Sequence, residues 1–312
     1  MCTSETSMSD PSDLRVAIFT YERPTHLMNA VMSVVQNMPR QPISIYDDAS
    51  SHSEAVETLR LLENYAEVHS RKQPLTSRSP RGGLYQNMQQ AVASACDERA
   101  NYLFLCQDDV QIVRPFSGRD MAALDGAFDR NPDAISIWPF FHGQDCSWRF
   151  DSTGSVYMRP DTSAAYGFQD VTVLNLRRFR DAGLEIRGNE HETSRAARDA
   201  GFRTVAQINP WAAFTPAPDV RRRGPTIHQL IRPLGRYLGL GFHPWRSMSA
   251  EDVALLHKRD PSICPSTLDW LSLIGSTPDR LTARAPSLRE AVAGGVSRLG
   301  SILHLRTDRD SS

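Results

Sequence analysis

The stretch from Tyr102 to Val110 (YLFLCQDDV) constrains the fold of this chain more than any other. Five largely apolar residues lead into two adjacent carboxylates, Asp108 and Asp109, as in a short buried strand that ends at the edge of a sheet. Ligands of α/β proteins bind at such strand ends. Carboxylate oxygens there suit a hard divalent cation such as Mg2+ or Mn2+, and through it a diphosphate. The alternative interpretation of the pair is a helix cap and a solvated turn.

Two more short strands precede the acidic one, from Arg15 to Tyr21 and from Ile43 to Asp48, and both end in polar residues. Between them, Thr25 to Met38 carries apolar residues at helical spacing, so the unit is strand, helix, strand. This order implies a parallel sheet with a right-handed crossover. Helical patterns recur from Ser53 to Tyr65 and from Leu84 to Ala95. The first half of the chain is therefore predicted to be doubly wound α/β.

Four short motifs lie where these predicted elements end or begin. Phe19 to Pro24 (FTYERP) follows the first strand, and Asp47 to Ser51 (DDASS) follows the second. Gly82-Gly83 and Asn87 stand at the start of the third helix, and Gln107 to Asp109 ends the acidic strand. In this order and spacing, the motifs resemble the nucleotide-sugar-binding half of a GT-A glycosyltransferase, particularly of the family 2 type.

The resemblance covers roughly residues 14 to 215 and implies a GT-A fold, a Rossmann-like α/β domain with a doubly wound, mostly parallel sheet. Four parts of the chain are then expected: a disordered tail (1–13), a nucleotide-sugar-binding half (14–115), an acceptor half (116–215), and a loop with a mainly helical C-terminal extension (216–312). Two positions depart from the family pattern, since Ala49 replaces a glycine and Gln107 replaces the first aspartate of Asp-x-Asp. An amide both donates and accepts hydrogen bonds, so Gln107 can share a ribose contact.

The resemblance implies that a sugar moves, with inversion, from a nucleotide diphosphate sugar to a hydroxyl acceptor, and a UDP-sugar is the expected donor. The residues that it assigns to the donor are Thr20, Tyr21, Arg23, Asp47, Asp48, Gly83, Asn87, Gln107 and Asp108. It places Mn2+ or Mg2+ on Asp109, with His228 preferred to His243 as a further ligand. A solvated side chain is the alternative for Arg23, and a simple Asx turn is the alternative for Asp47 and Asp48.

The segment from Gly188 to Arg195 (GNEHETSR) is the candidate source of a catalytic base. It opens a predicted helix that ends near Ala200, with Gly201 as its C-cap. Placing Gly201 on the family's glycine puts Glu190 on the catalytic aspartate, while Glu192 remains a competitor. The other interpretation is that both acids only complement the dipole of the helix.

The charge balance and the cysteines exclude several classes of protein. Lys and Arg number 35 against 36 Asp and Glu, so no basic field indicates a nucleic-acid partner. The five cysteines are odd in number and contain no Cys-x-x-Cys pair, which argues against a disulfide framework or a zinc site. No Gly-x-Gly-x-x-Gly follows the first strand and neither lysine follows a glycine, which excludes dinucleotide and P-loop cradles.

The polar start of the chain has no signal-peptide pattern, and reduced cysteines suit a cytoplasmic protein. No apolar run approaches the roughly 20 residues that cross a bilayer, so membrane contact is expected to be peripheral. Residues 227–242 form a basic amphipathic segment. It predicts either contact with an anionic membrane, near a lipid-linked acceptor, or packing on the catalytic domain or on a second subunit of a homo-oligomer. A glycan or a small molecule is the other type of acceptor expected.

Two other functions stay open at this point. A sugar-phosphate nucleotidyltransferase has a similar nucleotide-binding half, but it usually carries an early loop rich in glycine and arginine, and none follows the first strand. A non-catalytic protein that binds nucleotide sugars or carbohydrates is suggested by Gln107 and Asn189, which stand where the family has acids.

Overall fold

The computed structural model describes residues 13–71, 83–143, 148–159, 166–215 and 242–274, in which strands and helices alternate. The strands are β1 (Leu14–Thr20), β2 (Ile43–Asp47), β3 (Glu67–Ser70), β4 (Tyr102–Gln107), β5 (Val110–Ile112), β6 (Ala134–Trp138), β7 (Arg149–Asp151), β8 (Val156–Met158), β9 (Thr172–Asn175), β10 (Arg203–Ala206) and β11 (Ala212–Phe214). The helices are α1 (Pro24–Asn37), α2 (Ser53–Leu62), α3 (Leu84–Asp97), α4 (Gly118–Arg130), α5 (Leu176–Asp181), α6 (Glu190–Asp199), α7 (Ala250–Lys258) and α8 (Thr267–Trp270).

Nine of these strands form one mixed sheet in the order β3-β2-β1-β4-β9-β6-β10-β8-β7. β1 pairs in parallel with β2 and β4, and β3 continues the parallel row beyond β2. β9 lies antiparallel between β4 and β6, so β6 and its parallel neighbour β10 run in the same direction as β1. The predicted α/β fold with a mostly parallel sheet is confirmed.

The sheet is covered on both faces, which explains why its central strands are continuous apolar runs rather than alternating ones. Along β1, Leu14, Val16 and Ile18 face one core, which also contains apolar residues of α1 and α4. Ala17 and Phe19 face a second core with α3, α5 and α6. The two-residue period of a strand thus divides a single apolar run between two layers of helices.

The segment from residue 242 to 274 packs on a small second sheet, in which β5 pairs antiparallel with β11. The side-chain amide of Gln111 accepts from the Trp245 amide at 2.8 Å and donates to its carbonyl at 2.7 Å, as a neighbouring strand would. The Met248 amide donates to the Val113 carbonyl at 2.7 Å. This segment contains α7 and α8, and it belongs to the same compact unit as the sheet. No described helix is both long and apolar enough to cross a membrane.

The strands and helices predicted between residues 14 and 110 occur, with ends that shift by at most three residues. The acidic stretch is divided, since β4 ends at Gln107 and β5 begins at Val110 after a turn at the two aspartates. Helix α4 and the strands β3, β5, β6, β7, β8 and β11 were not predicted from the sequence. Gly82, His228 and most of the basic amphipathic segment lie outside the described residues, as do the first twelve residues and those after Ile274.

Candidate active site

The carboxyl ends of β1, β2 and β4 meet at one edge of the sheet. The amide of Asp48 donates to the Thr20 carbonyl at 3.1 Å, and the amide of Asp108 donates to the Phe19 carbonyl at 3.1 Å. We call the space beside these ends, between Asp48 and Asp109, the strand-end crevice. Ligands of open α/β sheets bind at this edge.

Asp108 and Asp109 are adjacent in sequence but have opposite environments. Asp108 is buried, and its carboxylate accepts from the Thr20 hydroxyl at 2.8 Å and from the Arg23 guanidinium at 2.7 Å. Burial raises the pKa of Asp108 to about 6, although the charge of Arg23 acts in the opposite direction. The Asp109 side chain is 18% exposed and lies 3.6 Å from Arg23. Asp109 is therefore the carboxylate of the pair that a ligand in the crevice can reach.

The start of α3 closes the other side of the crevice. The Gly83 amide donates to Asp48 Oδ2 at 2.8 Å, which links the end of β2 to the turn before α3. Arg71 joins the same group, since its amide donates to the Asp47 carbonyl and its Nε donates to the buried Asn87 side chain at 2.6 Å. Arg71 was not predicted as a site residue because β3, which precedes it, was not predicted either. The signal was a polar residue directly after a short strand at the same sheet edge.

Two loops beside the crevice each contain a residue in the left-handed backbone region. Glu22 has a φ of 55° in the loop after β1, and Ala49 has a φ of 62° in the loop after β2. Ala49 occupies the position of the family's glycine, which adopts this conformation without a steric cost. Asp47 accepts from the amide and the hydroxyl of Ser50, at 3.0 and 2.6 Å, as in the turn considered as its alternative role. Burial raises the pKa of Asp47.

Glu22 is a buried acid that sequence analysis did not single out. Its carboxylate accepts from the amides of Ser51 and His52, at 2.5 and 3.1 Å, immediately before α2. Burial by itself would raise the pKa of Glu22, but these hydrogen bonds outweigh it and lower the pKa. The bonds hold the loop after β1 against the loop after β2, so they define the shape of the crevice.

The two remaining donor candidates, Tyr21 and Gln107, lie at the same edge of the sheet. Gln107 is the last residue of β4, half-buried and in register with Phe19. Tyr21 follows the last residue of β1 and is also half-buried. The neighbouring Cys106 thiol is fully buried, and burial raises its pKa well above the usual value, so it is not a nucleophile here.

An aromatic wall adjoins Asp109 on the side of β6 and β11. Thr215 donates to the Asp109 carbonyl from its amide at 2.7 Å and from its hydroxyl at 3.0 Å. The preceding ring, Phe214, is 40% exposed and stacks on Phe140 with the ring centres 4.7 Å apart. The Trp138 ring lies 5.8 Å from Phe214. Phe140 is fully buried and the Trp138 ring is tilted by 43° to Phe214, so Phe214 is the exposed ring of this wall.

The two candidate bases lie in the first turn of α6 and differ in their surroundings. The Asn189 side chain accepts from the Glu192 amide at 3.0 Å and donates to its carboxylate at 2.6 Å, so Glu192 is an exposed part of the helix cap. Glu190 is the first helical residue and is half-buried. Among the described residues, no hydrogen bond or ion pair joins Glu190 to the strand-end crevice. Its assignment as the base stays a prediction.

Among the described residues, Asp109 is the carboxylate of the crevice through which a divalent cation fits. Asp108 already bonds Thr20 and Arg23, which leaves Asp109 as the accessible acid. The described residues contain no cluster of three or more His, Cys, Asp or Glu that could hold a metal. Mg2+ is commonly bound by one or two carboxylates together with substrate phosphates and water, so Asp109 fits a site that the substrate completes. His228 lies outside the described residues, and the Nε2 atom of His243 is buried without a described partner.

No protein-family model and no curated protein sequence matches this chain. Among solved structures, it is similar to S. aureus TarS 1–349 in complex with UDP, with 13% identity, a TM-score of 0.48, and coverage of 66% of this chain and 61% of that one. It is also similar to the mannosyltransferase PcManGT from Pyrobaculum calidifontis in complex with GDP-Man and Mn2+, with 13% identity, a TM-score of 0.42, and coverage of 95% and 82% of the two chains. The chain spans 39% of the longer TarS structure. Function is therefore inferred from the residues of the site.

Proposed function

We propose that this protein is a glycosyltransferase that uses a nucleotide diphosphate sugar as donor. The observation that carries the proposal is the convergence of three strand ends, β1, β2 and β4, around one crevice with Asp48 on one side and Asp109 on the other. A nucleotide diphosphate needs polar groups for its nucleoside and positive charge beside its diphosphate, and Arg23 or a cation bound by Asp109 would supply that charge. The GT-A resemblance of the four motifs supports the same donor class.

The donor would lie with its nucleoside near Asp48, whose carboxylate accepts from the Gly83 amide, and near the hydrogen-bonded pair of Arg71 and Asn87. UDP is the nucleotide that the family resemblance favours. The diphosphate would lie toward Asp109 and Arg23. Mn2+ or Mg2+ held by Asp109 would neutralise charge on the departing diphosphate.

The acceptor would approach from the side of the aromatic wall and present a hydroxyl to the anomeric carbon. Aromatic rings bind the apolar face of a ligand while polar groups fix its orientation, which suits a glycan or a lipid-linked sugar. Glu190 is the residue that we propose as the base that removes the hydroxyl proton. Direct displacement assisted by one base inverts the anomeric centre.

The donor assignment is tested by thermal unfolding with uridine, guanosine and thymidine diphosphates, each with and without Mn2+. A nucleotide that binds only the folded state raises the melting temperature, and uridine diphosphate with Mn2+ should raise it most. Asp48→Ala should remove the shift, whereas Asp181→Ala, an exposed carboxylate on α5, should leave it unchanged. A larger shift with another nucleotide would replace UDP but keep the crevice. No shift with any of the three would remove the donor site.

The metal assignment is tested by Asp109→Asn, because an amide lacks the charge that a hard cation prefers. The variant should stay folded and bind nucleotide without the extra stabilisation by Mn2+. Slow hydrolysis of nucleotide sugars then separates the enzyme classes. A glycosyltransferase releases a nucleoside diphosphate, a nucleotidyltransferase forms a triphosphate from pyrophosphate, and a binding protein does neither. Full turnover in excess chelator would contradict the role of Asp109.

A further inference from the structure

A second cleft, of about 260 Å3, shares no lining residue with the strand-end crevice. It lies between α4, the turn before β8, the segment after β10 and the end of α7. Ligand sites for drug-sized molecules usually exceed about 300 Å3. The volume of this cleft therefore suits a small ligand or the end group of a larger one.

The side chains of the cleft carry an excess of positive charge. Arg119, Arg130 and Arg259 line it, and Asp120 is the acid among its lining residues. That acid is already neutralised, because Asp120 Oδ1 accepts from the buried guanidinium of Arg114 at 2.6 Å. The charges of Arg119 and Arg130, both on exposed positions of α4, are not balanced by any acid that lines the cleft.

Arg259 is held rigidly at the wall of the cleft. Its guanidinium donates to the Asn209 side chain at 2.7 Å, to the Tyr157 hydroxyl at 3.0 Å and to the carbonyls of Ile208, Leu256 and Ile263, so all five of its N–H groups have protein acceptors. These bonds fix a positive charge in place before any ligand arrives. Preorganisation of this kind lowers the entropy lost on binding.

Two more lining residues have polar atoms without a partner. Gln207 is 3% exposed, and its Oε1 accepts from the buried Trp211 indole at 2.8 Å. The Nε2 atom is therefore the part of this amide that can donate to a ligand. That Nε2 and the Nδ1 atom of His257 are both buried and have no hydrogen-bond partner in the described part of the chain. Burial, together with the charges of Arg114 and Arg119, lowers the pKa of His257, so its ring is neutral near pH 7 and can offer an N–H. A buried donor without an acceptor is costly, and a bound acceptor removes that cost.

We propose that this cleft binds a phosphate-type oxyanion, as free inorganic phosphate or as the terminal phosphate of a phosphomonoester. Arg119 and Arg130 supply planar, permanently charged donors whose geometry matches phosphate oxygens, and Arg259 adds a fixed positive charge beside them. The amide of Gln207 and the ring of His257 supply neutral donors from the opposite wall. A metal cation is excluded as the occupant by the same set of groups, since it would face several guanidinium groups and a carboxylate that is already paired. The proposal does not depend on the function proposed for the strand-end crevice.

The test is calorimetric titration of the full chain with inorganic phosphate and, separately, with glycerol 3-phosphate, at constant ionic strength. Phosphate can also bind near Arg23, so Arg23→Gln and wild type are titrated side by side with the cleft variants. Because Arg119 and Arg130 are exposed on α4, the double variant Arg119→Gln/Arg130→Gln should fold normally. Arg180→Gln, which removes the same charge from an exposed position on α5, is the matched control.

Loss of roughly tenfold or more in phosphate affinity in the double variant, with an unchanged value in Arg180→Gln, would support the cleft. A 15N-histidine spectrum should show one imidazole resonance moving on phosphate addition, and His257→Gln should delete that resonance. Tighter binding of glycerol 3-phosphate than of phosphate assigns the site to a phosphomonoester, and the reverse order assigns it to free phosphate. Absence of binding, or equal binding by wild type and the double variant, overturns the proposal.

Discussion

Asp120→Asn keeps the shape of the side chain and removes its charge, and we expect it to destabilise this protein strongly. Arg114 is fully buried, and its guanidinium bonds Asp120 at 2.6 Å and the carbonyls of Asn209 and Pro210 at 2.8 Å each. Asp120 also accepts from the amide and the hydroxyl of Ser117, which is the N-cap residue of α4. The pair therefore ties the start of α4 to the segment that leads into β11. The asparagine would leave the guanidinium charge buried without a counter-charge.

The expected loss follows from the burial of the pair. Removing one partner of a buried ion pair costs about 3–5 kcal/mol, because the remaining charge stays desolvated. For a protein of this size that corresponds to a fall of roughly 10 °C in melting temperature. The exposed pair of Arg180 and Asp181, whose nitrogen and oxygen lie 3.3 Å apart, is the matched control. Asp181→Asn should cost less than about 1 kcal/mol, since water screens the exposed pair.

Urea unfolding of the wild type and both variants, followed by circular dichroism, measures these differences. The pH dependence gives a second check. Burial by itself would raise the pKa of Asp120, but the hydrogen bond and charge of Arg114 outweigh it and lower the pKa. A lowered pKa stabilises the folded state above the unfolded-state pKa of about 3.9, and this stabilisation is lost as the pH falls through the folded-state pKa. The difference between wild type and Asp120→Asn should therefore be constant at neutral pH and shrink below about pH 4.

Equal losses in Asp120→Asn and Asp181→Asn would refute the argument, because burial would then make no difference to the pair. A difference that stays the same below about pH 4 would show that the charge of Asp120 is not the stabilising property. The helix cap alone would then explain the loss.

Three further changes test other parts of the structure. Gly167→Ala should destabilise by roughly 3 kcal/mol, because the new Cβ would lie 2.1 Å from a backbone oxygen of α6, whereas Gly118→Ala, with no atom within 4 Å, should be tolerated in the same thermal assay. Ala49→Gly should relieve a backbone strain of roughly 1–2 kcal/mol, partly offset by the entropy of glycine in the unfolded chain, so the melting temperature should rise slightly; a fall would contradict the strain. Glu190→Gln should lower turnover by roughly 10² to 10⁴ with donor affinity unchanged, while Glu192→Gln should be mild; the opposite result would move the base by two residues.

The strands β1, β2 and β4 and the helices α1, α2 and α3 were predictable from local patterns. The five apolar residues before Gln107 and the similar run before Tyr21 are long enough for a strand buried on both faces and too short for a helix. The apolar residues of α1 recur at helical spacing, and Pro24 begins that helix as expected for proline. These signals depend on neighbours in sequence, so the sequence displays them directly.

The elements that were missed have weaker local signals or depend on distant partners. The strands β6, β7 and β8 have three to five residues each. β7 and β8 pair with each other, and β6 and β8 both pair with β10, which lies about 45 residues or more further along the chain. For α4, the capping box formed by Ser117 and Asp120 was the available signal. The antiparallel insertion of β9 between β4 and β6 has no local signature, because the register is set by contacts about 70 residues apart along the chain.

The sequence by itself determined that acidic residues stand at the end of β2 and directly after β4. Their carboxylates therefore lie at one edge of an α/β sheet. Only the tertiary structure decided which carboxylate is accessible. Asp108 is closed off by Arg23, 85 residues away in sequence, and Asp109 is left partly exposed. Arg71 belongs to the site because it bonds Asn87, although no sequence motif contains Arg71. Local composition specifies which chemical groups lie at a strand end, whereas their burial and partners depend on residues that only folding brings within hydrogen-bonding distance.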